Sequence, residues 1–386
     1  MKRRRCALAS LLFGSALATS ADALVINNGL APPHAANVID GPAPALVYVQ
    51  NVGCDATVAD PCATPGAPTR VAVVDGATIG GFGPSGTNGR LGSYESSSIE
   101  VTGGTFVGDF LAHDSSTIAM SGGAFRSGFF HAYDSSSVFL SGGSLWSGLD
   151  ANDHATVAMS GGSAGDSLSA TDFATVAMSG GRVGGPIGGR GSSTVSMSGG
   201  TAQEFDAFDS AAVTLSGGVI QNTFTTKQSA RASILGGTVG FSLDAYGHST
   251  VAVGGGAIGI DLRSHDASNI ILSGGTVGHE LVAFDSSLLT IVGFGFEVDG
   301  VPVGFGTLAA TSGRLTGTLA SGEPIDDAFC QGGGACYAGI PTTGSITLVP
   351  EPGTMLLLAA GLLLLPARRQ SATGASPSIT SAVESV

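Results

Sequence analysis

The chain has 386 residues, of which 62 are Gly, 43% are hydrophobic and only 11% are charged. Low charge with this much apolar content excludes a disordered polymer, and glycine without a Gly-X-Y period excludes collagen. The formal net charge of −14 is carried mainly by residues 24–350, and it disfavours nucleic acid and anionic headgroups as partners.

Residues 1–23 read as a secretory signal. Met1-Lys2-Arg3-Arg4-Arg5 precedes an apolar run, and Ala21-Asp22-Ala23 is a small-x-small cleavage site, with cleavage predicted after Ala23. Export changes the reading of the cysteines. Cys54 and Cys62 lie close together, as do Cys330 and Cys336, and an oxidising compartment predicts two short local disulfides. Neither pair has the tight ligand spacing of a structural zinc site. Residues 24–90, rich in Pro and Ala, are predicted to cap the fold that follows.

That fold is announced by repetition. DHATVAMSGG at 153–162 and DFATVAMSGG at 172–181 differ at one position, and Gly-Gly pairs recur from Gly103 to Gly274 at a spacing of 18 to 20 residues. Such a period denotes a solenoid. It is too short for a helix pair, and Gly-Gly and Asp-Ser break helices. One column is always large and apolar, from Leu91, Phe110, Phe130 and Leu149 to Leu281. Two residues later stands a small one: Ser93, Ala112, Ala132, Ala151 and onward. A second run alternates as Val157-x-Met159, and one more apolar position follows each Gly-Gly. Period-two alternation with one buried face predicts short strands. Residues 91–292 are therefore predicted to form an all-β, single-stranded parallel β-helix of ten to eleven coils, each pointing about five side chains inward. Crossover statistics predict a right-handed winding. Gly-Gly serves one corner and Asp-Ser another. Residues 293–348 break the period and are predicted to be the second cap, needed because open sheet ends are adhesive.

The chain closes with Val349-Pro350-Glu351-Pro352-Gly353, an apolar stretch over 354–366, Arg368-Arg369, and a tail over 370–386. The order Pro350-Glu351-Pro352, apolar helix, basic pair resembles the PEP-CTERM sorting signal, here spanning 349–369. The resemblance implies export in a Gram-negative bacterium, transient inner-membrane anchoring through a short transmembrane segment, and recognition by an exosortase-type membrane peptidase. It also implies an association with exopolysaccharide at the envelope or in the extracellular matrix.

Few residues offer chemistry. The acidic column Glu95, Asp114, Asp134, Asp153, Asp172, Asp209, Asp266 and Asp285 suggests a cation ladder. Gly191, Gln228 and Gly247 interrupt it, however, and that favours a series of locally bonded turns. The preceding column, with His113, Tyr133, Phe208, Tyr246, His265 and Phe284, offers rings for stacking on sugars or is a variable surface. The seven histidines show no His-x-x-x-His or Glu-x-x-His spacing, so no metal ligand is assigned. A lyase is disfavoured by uniform coils and scattered basic residues, and a glycosidase by the absence of an evident carboxylate-lined cleft. A Thr array for ice is broken by Ala212 and Arg231. No catalytic residue and no cofactor is assigned. The expectation is a non-enzymatic structural or adhesive protein, with a β-helix polysaccharide lyase or glycoside hydrolase as the alternative.

Overall fold

A computed structural model describes residues 24–26, 37–43, 46–49, 69–80, 89–332 and 343–351. The chain divides into a large unit, Met1–Val349, and a small one, Pro350–Val386, of which only Pro350 and Glu351 are described. The described residues of the large unit are all-β and form a parallel β-solenoid of about 11 coils of ~19 residues. Among the described residues no helix is long and apolar enough to cross a membrane. Residues 354–366, Ala23, Cys54, Cys62, Cys336 and Pro352 lie outside the described residues.

Each regular coil holds three strands. In one coil these are Leu149–Ala151, Thr156–Met159 and Ser163–Ala164. Each strand pairs in parallel with its counterpart in the next coil: Leu149 with Leu168, Val157 with Val176, Ala164 with Val183. Leu149, Ala151, Val157, Met159 and Ala164 are all buried, as the alternation requires. A sixth inward position escapes the hydrophobic reading. Two residues after the acidic turn stands a small buried side chain, Ser116, Ser136, Ala155, Ala174 or Ser193, which fills the corner. The large column stacks upon itself. Phe110 and Phe130 have ring centroids 4.5 Å apart.

Glycine is needed at the Gly-Gly corner for two different reasons. Gly162 has φ +74°, a left-handed conformation that side chains disfavour. Gly161 has ordinary dihedrals, but a Cβ there would collide with the carbonyl oxygen of Ser141 in the preceding coil.

The parallel ladder also runs through residues before the regular repeat. Val47 pairs with Leu91, Ile39 with Val73, Val73 with Val101, and Ile79 with Phe106. These partners are much further apart in sequence than one repeat, so no period marks them. At the other end the pairing changes sense. Strand Leu288–Val298 starts parallel to Asn269–Val277, then runs antiparallel to Ser312–Leu319, which in turn is antiparallel to Pro324–Cys330. Strand Ser345–Val349 returns to lie parallel to Leu288–Val292. Phe296, Leu315, Leu319, Ile325, Phe329, Ile346 and Leu348 carry the core through this region. Cys330 is fully buried and disulfide-bonded. Pro350 and Glu351 follow directly on the last strand, both half-buried.

Candidate functional site on the lateral sheet

The sheet built on the large apolar column has an outward face. Leu149 and Ala151 point inward, so residues one before, one between and one after them project outward, and coil stacking converts each into a continuous column.

The column just before the acidic turn is a stack along the solenoid. Tyr94 lies 5.1 Å from His113 and His113 4.8 Å from Tyr133, both nearly parallel. Thr171 Oγ1 donates to Asn152 Oδ1 at 2.9 Å. Arg190 sits over Phe208 at 4.8 Å, and the Lys227 ammonium lies between Phe208 and Tyr246 at 5.4 and 5.7 Å. Tyr246, His265 and Phe284 continue at 4.4 and 4.5 Å. The residue types vary, but neighbours match: ring on ring, cation on ring, hydroxyl on amide. This column is more ordered than a variable surface. Phe129 stacks on His131 at 5.6 Å beside it. Next to that pair is an open depression lined by Phe129, Trp146, Ser127, Ser147 and Asp166. Trp146, the chain's one tryptophan, is 75% exposed and Phe129 is 60% exposed.

The same face carries carboxylates. Asp150 is opposed by His131 at 3.4 Å and accepts from Ser169 Oγ. Burial pushes its pKa up, but the facing His131 ring and the hydrogen bond from Ser169 outweigh burial and hold it below the ordinary range. Asp244, also buried, behaves alike through His265, Ser242 and Arg263. Asp206 goes the other way, raised by burial and by Glu204. Further along, Asp261 is 2% exposed, and its carboxylate meets Arg263 and, at 2.9 Å, His279 Nδ1. Donor atoms of Asp261, His279 and Glu280 all lie within 4.8 Å of one another. Burial and the charge of Asp261 push Glu280 upward.

The acidic turn column has a different role. Glu95, Asp114, Asp134, Asp153, Asp172, Asp209, Gln228, Asp266 and Asp285 all have φ between 52° and 59°. Their carboxylates do not close local turns, as the sequence suggested. Asp134 Oδ2 accepts from the Asp114 amide at 3.0 Å, and Asp153 Oδ2 from the Asp134 amide at 3.1 Å. Gln228 Oε1 does the same for Asp209 at 2.7 Å. The side chains of Asp114, Asp209, Asp266 and Asp285 reach back one coil in the same way, and at Gln228 a neutral amide suffices.

Sequence reasoning missed the Asp261–His279–Glu280 cluster and the Trp146 depression. Residues 18 or 19 apart become neighbours in a solenoid, so metal or binding motifs have that spacing and resemble no local pattern. Carboxylates thus do meet on one lateral face. Asp261 is nonetheless nearly inaccessible and held by Arg263. No family model, no curated protein and no solved structure matches the chain.

Proposed function

We propose that the chain is a non-enzymatic, structural or adhesive β-solenoid of the cell envelope or extracellular matrix, whose lateral sheet binds exopolysaccharide. The observation that supports this reading most is the ring-lined lateral face, with Trp146 and Phe129 exposed beside Ser127, Ser147 and Asp166. Aromatic faces take the apolar faces of sugar rings, and hydroxyl and carboxylate neighbours take their hydroxyls. The net negative charge favours neutral over acidic polymers. The solenoid supports a structural part through its long hydrogen-bonded ladder. Export past Ala23, sorting at Pro350-Glu351-Pro352 by an exosortase-type peptidase, an apolar helix over 354–366 and right-handed winding belong to the same proposal. They rest on sequence.

The test is calorimetric titration of the protein with neutral and acidic exopolysaccharides, with released reducing ends and unsaturated uronates assayed in parallel. Binding of a neutral polymer without product, weakened about five- to tenfold in Trp146→Ala, is expected. Binding unchanged in that variant would remove the depression from the proposal. Product release would favour the second reading, a glycoside hydrolase or lyase. One observation speaks for a hydrolase: the Asp261 and Glu280 oxygens lie within 4.8 Å, near the separation of a retaining pair. The burial of Asp261 and its Arg263 partner speak against it.

A further inference from the structure

The three groups Asp261, His279 and Glu280 invite a question that sugar binding does not answer. Asp261 opens strand Asp261–Ser264, and Glu280 opens strand Glu280–Ala283 in the next coil. The strands are parallel neighbours, and Asp261 and Glu280 are register partners. Like charges directly opposite on adjacent strands are destabilising. The adjacent cation does not cancel them. Arg263 is shared between Asp261 and Asp244, whose Oδ1 lies 3.6 Å from the guanidinium. One guanidinium thus serves two carboxylates, Asp244 and Asp261, beside a third carboxylate at Glu280.

We propose that Asp261, His279 and Glu280 bind a divalent first-row transition ion, zinc(II) being the best match, which pins two successive coils together. The donor set is one imidazole and two carboxylates. It suits a borderline ion better than calcium, which takes six or more oxygens. Asp261 Oδ1 and His279 Nδ1 are 2.9 Å apart. Two donors so spaced subtend roughly a right angle at an ion ~2.1 Å from each. Arg263 takes the other oxygen of Asp261 and fixes its direction, as outer partners do in metal sites. His279 is 67% exposed in its side chain, so an ion reaches the site from solvent. Binding displaces any proton on the His279 donor nitrogen to solvent and forms three metal–ligand bonds, with no redox change.

Calorimetric titration of the full-length protein with zinc(II) alone tests this, with calcium(II) as a second arm and thermal unfolding as a second readout. One equivalent of zinc(II) is expected to bind, to raise Tm, and to be stripped by chelator. His279→Ala, at a position whose side chain is 67% exposed, is expected to weaken zinc at least tenfold, as is Glu280→Gln. His248→Ala, an exposed histidine in another turn, is expected to leave it unchanged. Asp261→Asn is uninformative alone, because Asp261 also holds Arg263. No saturable binding at millimolar zinc would overturn the proposal, and so would binding that survives His279→Ala within twofold, or calcium binding as tightly as zinc. None of these arms involves a glycan, so failure here leaves the polysaccharide reading standing.

Discussion

Asp327 shows what one inward-facing charge does to a solenoid cap. In strand Pro324–Cys330 the buried positions are Ile325, Asp327, Phe329 and Cys330, so the alternation that directs Ile325 and Phe329 inward directs a carboxyl there too. Burial, reinforced by the neighbouring Asp326, pushes its pKa from the ordinary 3.8 to about 6. A carboxyl whose folded pKa lies above its unfolded value holds its proton more tightly in the fold. Its contribution therefore rises as pH falls from about 6 toward 3.8, and above about 6 the full penalty stands. That penalty is on the order of 2–3 kcal/mol. Asp327→Asn is accordingly expected to raise the urea midpoint at pH 7.5 and to lose most of that advantage by pH 4. Equal midpoints at pH 7.5 would show that Asp327 is solvated. Asp150 behaves in the opposite sense. Held down by His131 and Ser169, its stabilising effect is present at neutral pH and disappears as pH falls through its lowered value. Neither behaviour is legible in the sequence, because both depend on which face of a strand an acid occupies.

At the scale of the turn, the acidic column links geometry to energetics. Its members need a left-handed backbone, and seven of them add an acceptor that reaches back one coil. Asp and Asn tolerate that backbone best among residues with such a side chain. Gly191 and Gly247 keep the backbone conformation, at φ 66° and 69°, and forgo the acceptor. Gln228 provides the acceptor without charge. Charge is therefore dispensable. Asp153→Asn is expected to lie within ~0.5 kcal/mol of wild type, whereas Asp153→Ala loses both a hydrogen bond and a tolerant backbone, for ~2 kcal/mol in all. Urea denaturation of the two variants separates these outcomes, and a costly Asp153→Asn would mean that a cation is held there after all. The inward columns act more strongly. Phe205 lies between Ile187 and Phe224 in register and is fully buried. Phe205→Ala is expected to cost ~3–5 kcal/mol, read from the same denaturation curves. The turn's place and its Asp were legible in the sequence, since both recur with the period. The partner of the carboxylate was not, because a hydrogen bond between coils leaves no mark on spacing within one.

Over the whole solenoid, legibility follows the regularity of the coil. From Leu91 to Leu281 every large inward residue predicted from periodicity is buried. Outside that range the same parallel pairing continues with irregular spacing, as between Val47 and Leu91, and no periodic reading detects it. The antiparallel strands Ser312–Leu319 and Pro324–Cys330 obey a different rule and close what the repeat alone leaves open. A regular solenoid touches only its neighbours, so its stability is nearly a sum of coil and interface terms. Register is then the quantity that must be conserved, and length is not. Deleting residues 160–178 joins Met159 to Ser179, reproducing the native Met-Ser-Gly-Gly junction and placing Met159 beneath Met197. The inward columns stay aligned, and each remaining coil keeps two neighbours. This shortened protein is expected to fold, to keep its β-sheet circular dichroism and to unfold at a Tm within several degrees of wild type. Deleting residues 160–169 removes about half a coil, throws every later column out of register and sets loops against strands, so it is expected to yield no cooperative unfolding. If both deletions behave alike, the coils are not the independent, register-matched units that their pairing implies.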